Sequence, residues 1–181
     1  DYKSFRKWAK PGLILSFFLL ILVLIPGIGR EVSGARRWFR FKFISFQPSE
    51  FAKVALILLL GLFWTSHTAN WTNIVKSLIW VLPILILIFK QPDLGTALTL
   101  MAIWAGMLFA THISIKKMVT LILIGILVIP STWLFLHDYQ KQRIIGFLDP
   151  ESDSLGRGYN VIQSTIAVGS GQLLGKGLGS G

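Results

Sequence analysis

The sequence predicts an all-α protein that crosses a membrane several times, and three observations carry that expectation. Of its 181 residues, 53% are hydrophobic and only 14% are charged, with a mean hydropathy of +0.65; soluble domains carry about 25% charged residues. The apolar residues fall into long blocks, and long apolar runs need lipid around them. The charged residues gather in short corners between the blocks and in one polar tail.

Five spans follow, at residues 11–28, 50–66, 77–89, 94–110 and 118–136. A helix needs about 20 residues to cross the hydrocarbon layer, and tilt or flanking residues cover a shortfall. The third span is short, and Pro83 breaks it. Trp8, Trp38, Trp64, Trp71 and Trp133 lie near span ends, where aromatic belts form. Residues 137–181 form a long polar loop, the only long stretch unlike a membrane segment.

There is no cysteine, so disulfides and thiolate metal sites are excluded. The chain opens at Asp1 without a start methionine and stops in a Gly-rich stretch, so it is expected to be an internal piece of a longer protein. The formal charge of +10 would suggest nucleic acid in a soluble domain. Here the basic residues sit at membrane edges, so the expected partners are membrane lipids or a phosphate-bearing lipid substrate, and no nucleic acid.

Five spans alternate sides. The first side holds 1–10, 65–76 and 111–117; the second holds 29–49, 90–93 and the tail. Glu31, Glu50, Asp93, Asp138, Asp149, Glu151 and Asp153 all fall on the second side. Charged groups beside hydrocarbon are costly and usually functional, so the second side is the working side. Counting basic residues does not orient the protein. Lys3, Arg6, Lys7, Lys10, Lys76, Lys116 and Lys117 on one side match Arg30, Arg36, Arg37, Arg40, Lys42, Lys53 and Lys90 on the other.

Two corners on the working side share a grammar. Gln47-Pro48-Ser49-Glu50 opens the second span and Gln91-Pro92-Asp93 opens the fourth. Proline suits a first helical turn, and an acid there faces the positive end of the helix dipole. Plain capping is one reading of each acid; a shared polar cavity is the other. Lys53 follows Glu50 by three residues, on the same helix face. A lysine at that depth costs about 2.5–3.5 kcal/mol unless paired or hydrated. Arg36 and Arg37 offer forked donors that match phosphate oxygens, with headgroup snorkelling as the alternative.

The tail carries Asp149, Glu151 and Asp153, then Gly156 and Gly158. Its glycine-rich end, 169–181, fails as a phosphate loop, because Ser170 stands where glycine is needed and Gly177 where Ser or Thr is needed. His67, His112 and His137 lack metal spacing. Asn70-Trp71-Thr72 matches a glycosylation sequon, a weak pattern that is discounted.

GARRW, FQPSEFAK, KQPDLGTA, HDYQKQR, FLDPESD, GYNVIQS and GSGQLLGKGLG, in this order, resemble the SEDS family of bacterial RodA, FtsW and SpoVE proteins. The stretch LHDYQKQRIIGFLDPESD looks more like the RodA branch than the FtsW branch. The resemblance implies a ten-helix fold, of which this chain would hold the third to seventh helices and part of a large extracytoplasmic loop. It implies that the first side is cytoplasmic and that the protein lies in the bacterial inner membrane. It also implies a peptidoglycan glycosyltransferase that polymerises lipid II for cell-wall elongation and shape, working with a class B penicillin-binding protein.

By the same resemblance Asp153 is the essential acid, and Glu50, Lys53 and Asp93 line the cavity. Gln47, Gln91, Gln163 and Lys176, each inside a matching motif, join Arg36 and Arg37 as candidate substrate contacts. The family usually has proline after the essential Asp; Ser154 stands there and is expected to loosen the local backbone. Glycosyl transfer needs a base for the attacking hydroxyl and positive charge for the departing pyrophosphate. Asp153 is the expected base, Arg36, Arg37 and Lys53 the pyrophosphate contacts, and a divalent cation (Mg or Mn) a candidate to share that role. Asp93 is expected to orient Lys53 or act as a second acid. Asp149 is expected to fix a turn before Pro150, and Glu151 to be solvated. The alternatives are a lipid II flippase, which would use broken helices near the midplane, and a non-catalytic scaffold of the elongation or division machinery.

Overall fold

The computed structural model describes residues 2–32, 35–41, 44–136, 138–156, 158–172, 175 and 177. Lys42, His137 and Lys176 lie outside the described residues. Among the described residues there are seven α-helices: α1 Tyr2–Leu24, α2 Pro48–Ser66, α3 Trp71–Lys90, α4 Leu94–Phe109, α5 Ile115–Thr132, α6 Asp138–Leu148 and α7 Tyr159–Gly171. Among the described residues, four segments are long and apolar enough to cross a membrane: Phe5–Leu24, Pro48–Ser66, Trp71–Lys90 and Ile115–Phe135. Leu94–Phe109 is apolar but shorter.

The span ends differ from expectation in instructive ways. The first helix stops at Leu24 rather than residue 28, because Pro26-Gly27 leads into a turn in which Gly27 takes φ +91°. The third helix begins at Trp71 rather than residue 77 and runs through Pro83 to Lys90 without a break. In membrane helices the groups a proline frees can be satisfied by neighbours, so an apolar proline need not end the run. Its start is fixed by Asn70, whose side chain accepts the Asn73 amide at 2.8 Å. The side chain of the weak sequon thus serves as a helix cap.

The corner at 29–49 is not a plain loop. It contains a three-stranded antiparallel sheet in the order β1 Arg30–Val32, β2 Ala35–Phe41 and β3 Ile44–Phe46. Side chains alternate across a strand. Ala35 and Phe39 on one face of β2 are buried, and Arg37 between them is half-buried. Arg40 on the other face is exposed.

By compactness the chain forms two units, Asp1–Gly125 and Ile126–Gly181. The core of the first runs through α1 to α4, with Leu20, Leu56, Leu60, Ile74, Ile84, Ile88, Leu100 and Leu108 fully buried. A polar tie crosses this core, where Trp104 Nε1 donates to Ser77 Oγ at 2.9 Å. Breaking it by Ser77→Ala strands a buried donor, a cost of about 1–3 kcal/mol. At one end of the unit, Lys117 Nζ donates to the Ala69 carbonyl at 2.7 Å and joins the α4–α5 corner to the α2–α3 corner. The other end holds the candidate site.

The second unit is more helical than the loop expected at 137–181. After a 3-10 turn at Trp133–Phe135, α6 and α7 flank a second 3-10 turn, Pro150–Asp153.

Candidate functional site

The two proline corners are built differently. In the first, Pro48 is the first residue of α2, with Gln47 as the residue before the helix. In the second, Asp93 itself caps α4, and its Oδ1 accepts the Thr96 amide at 3.2 Å. Pro92 therefore precedes the cap rather than entering the helix. The corners meet: Gln47 Nε2 donates to Asp93 Oδ2 at 3.3 Å, and Arg37 Nη1 lies 3.1 Å from the same oxygen. The Arg37 and Asp93 side chains are 16% and 10% exposed. One carboxylate thus caps a helix, ties two helix starts together and holds the sheet against them.

Glu50 and Lys53 form a separate pair. Lys53 Nζ lies 2.7 Å from Glu50 Oε1, with side-chain exposures of 21% and 57%. Asp93 is bonded to Arg37 and Gln47, so orienting Lys53 falls to Glu50 instead. On the outer face of the sheet, Arg36 Nε pairs with Glu31 Oε2 at 3.2 Å. The adjacent arginines therefore point to opposite faces, Arg36 toward solvent and Arg37 inward. Arg37 Nε and Ser49 Oγ are buried without a hydrogen-bond partner among the described residues. They leave unspent polar capacity on the inward side of this corner.

Gln91 is 1% exposed, and its Nε2 donates to the Leu20 carbonyl at 3.1 Å. It fastens the α3–α4 corner to the last turns of α1. Buried so fully, it is positioned as a structural tie rather than a surface contact. Among the described residues, no three His, Asp or Glu side chains gather in a way that could hold a metal ion.

In the second unit Asp153 is the last residue of the 3-10 turn and is exposed. Its backbone carbonyl accepts the amides of Gly156 at 3.2 Å and Gly158 at 3.0 Å. A Cβ on Gly158 would collide with the Pro150 carbonyl, and one on Gly156 would press on the Asp153 carboxylate. These glycines let the chain fold tightly over its own turn. Ser154 has φ −64°, the value a proline would lock, so the turn keeps its shape without the ring. Asp149, before Pro150, makes no side-chain cap; Ser152 Oγ instead donates to its carbonyl at 2.7 Å. Glu151 is exposed, and Gln163 is exposed on α7.

The sequence matches the model of the FtsW, RodA and SpoVE family, described as "Cell cycle protein", over residues 1–181. The chain belongs to this family. It is 39% identical over 188 residues to "Probable peptidoglycan glycosyltransferase FtsW" of Trichlorobacter lovleyi, covering 100% of this chain and 48% of that protein. It is 38% identical over 178 residues to "Peptidoglycan glycosyltransferase MrdB" of Escherichia coli K12, covering 97% and 48%. The chain spans about half the length of the curated relatives it matches. Among solved structures it is similar to "Structural coordination of polymerization and crosslinking by a peptidoglycan synthase complex". That similarity has a TM-score of 0.74 at 35% identity, over 92% of this chain and 49% of that one.

The Glu50–Lys53 geometry yields a test. Exposed pairs contribute roughly 0.2–1 kcal/mol to stability, so loss of this one should barely move the melting temperature. If the pair instead sets the charge of a cavity, Glu50→Gln and Lys53→Met in the full-length protein should be strongly non-additive in activity. A coupling of about 0.5–3 kcal/mol is expected from a double-mutant cycle. Additive losses would mean that the two side chains act separately.

Proposed function

We propose that the full-length protein is a peptidoglycan glycosyltransferase of the bacterial inner membrane that polymerises lipid II into glycan strands. The observation that carries this reading is similarity along the whole chain to relatives named peptidoglycan glycosyltransferases. A class B penicillin-binding protein is the proposed partner, supported by similarity to a synthase complex that couples polymerisation to crosslinking. A role in elongation and cell shape rests on the RodA-like stretch through Asp153.

In the proposed reaction Asp153 takes the proton from the attacking sugar hydroxyl. The hydroxyl oxygen bonds to the anomeric carbon of the second sugar, the bond from that carbon to the pyrophosphate oxygen breaks, and the lipid pyrophosphate leaves with the electron pair. The transition state carries oxocarbenium character, and the leaving oxygens gain charge. Arg36, which pairs with the exposed Glu31, and Lys53, which pairs with Glu50, are the cations proposed to contact those oxygens. Arg37, already committed to Asp93, acts by holding the corner.

Polymerisation of purified lipid II by the full-length protein with its penicillin-binding partner tests the reading. Glycan polymer from the wild type is expected. No polymer, together with lipid II movement across liposomes, would favour a flippase, although the unbroken α3 removes the helix break at Pro83 on which that alternative drew.

Orientation has its own test. Single cysteines at Ser114 and Ser154 should respond oppositely to a membrane-impermeant thiol reagent in whole cells, with labelling at Ser154 only. Labelling at Ser114 alone would overturn the assignment of the first side to the cytoplasm.

A further inference from the structure

At the end of the first unit opposite the Arg37–Asp93 corner, a groove of about 490 Å³ lies among α1, α2 and α3. Its walls are apolar: Leu59, Leu62 and Phe63 from α2, and Ile79 and Trp80 from α3. Lys10 of α1 and Lys76 of α3 also line it, both exposed. Ser66 and His67 close it at the helix terminus. The His67 ring is fixed, stacked on Phe63 with centroids 4.3 Å apart, and its Nδ1 lies 2.8 Å from the Phe63 carbonyl.

We propose that this groove holds an anionic phospholipid of the surrounding leaflet. Its phosphate would sit between Lys10 and Lys76, and an acyl chain would lie along Leu59, Leu62 and Ile79. Charge complementarity selects this occupant. The described charged residues at this end are Arg6, Lys7, Lys10, Lys76, Lys116 and Lys117, all basic. The described acids of the unit, Glu31, Glu50 and Asp93, belong to the opposite end. Depth agrees as well. The lysines sit within the first turns of their membrane helices, where headgroups lie, and the apolar walls continue toward the hydrocarbon. A free phosphate would gain nothing from five apolar wall residues, whereas a lipid uses both halves of the groove. This proposal stands independently of the glycosyltransferase reading.

The test uses the full-length protein in bilayers of mixed phosphatidylcholine and phosphatidylglycerol, with retained lipid read by native mass spectrometry. Phosphatidylglycerol should be retained selectively, and inorganic phosphate should not displace it. A basic residue near an anionic leaflet strengthens attachment by about fivefold, so Lys10→Gln with Lys76→Gln should lower retention by about twenty-five-fold. Both lysines are exposed, so the variant should melt like the wild type. Arg6→Gln, at the same end but outside the groove, should lower retention far less than Lys10→Gln. Equal retention of the two lipids, or undiminished retention in the double variant, would overturn the proposal. So would a loss from Arg6→Gln as large as that from Lys10→Gln, or a photocrosslinker at Leu62 that captures another segment of the protein instead of lipid.

Discussion

Asp153→Asn in the full-length protein should bind lipid II and its penicillin-binding partner yet make almost no glycan. Removing a general base commonly costs about 10²–10⁴ in rate. The turn should persist, because the backbone carbonyl of Asp153 accepts the Gly156 and Gly158 amides that close it. The carboxylate is exposed at the end of that turn, where a sugar hydroxyl could reach it. Asn keeps the shape and removes the basicity. Asp149→Asn and Glu151→Gln should retain most of the activity, since neither is assigned a proton to move. The measurement is the initial rate of lipid II polymerisation, with binding of lipid II and partner measured separately. Near wild-type polymerisation by Asp153→Asn beside a dead Glu151→Gln would show the base to be misassigned. Activity in all three would remove the tail from the chemistry.

The membrane helices were legible because their signal is summed over about 20 residues, so one proline or glycine hardly weakens it. Their ends were less so. Pro83 reads as a break by the rules of soluble helices, yet α3 passes through it. The start of α3 at Trp71 depends on one cap, Asn70, which the sequence also offers as a sequon. The sheet at 30–46 was hidden because ARRWFRF alternates buried and exposed positions with arginine on both faces. Inward Arg37 hides among the charges unless its partner is known. The tail reads as a loop because its glycines and acids mask two helices, α6 and α7.

The candidate site divides along the same line. The local pair Glu50–Lys53 follows from helix spacing alone and is present as an ion pair. Contacts between distant residues do not follow from spacing. Arg37 and Gln47 converge on one oxygen of Asp93, across 56 and 46 residues of chain. Gln91 reaches Leu20, 71 residues away. A motif shows which residue types stand together in sequence; it does not show that Arg37 is spent on Asp93 while its neighbour Arg36 faces solvent.

Arg37→Met should destabilise the full-length protein by about 3–5 kcal/mol, the cost of leaving one partner of a buried ion pair uncompensated. The Asp93 side chain, 10% exposed, would be left among the described residues with the Gln47 amide and the Thr96 cap as its hydrogen-bond partners. Asp93→Asn should also be costly, because it leaves the Arg37 guanidinium facing a neutral amide, although Asn still caps α4 well. The double variant Arg37→Met with Asp93→Asn should recover much of the loss, since neither charge then remains. Arg36→Gln, which breaks only the exposed pair with Glu31, should cost no more than about 1 kcal/mol. Its effect should fall on substrate affinity instead. Unfolding of the purified protein in detergent, read as a double-mutant cycle, decides the matter. Additive losses from Arg37→Met and Asp93→Asn, or an Arg37→Met protein as stable as the wild type, would mean that the corner is held by the sheet and helix packing alone. Arg37 would then return to the list of candidate pyrophosphate contacts.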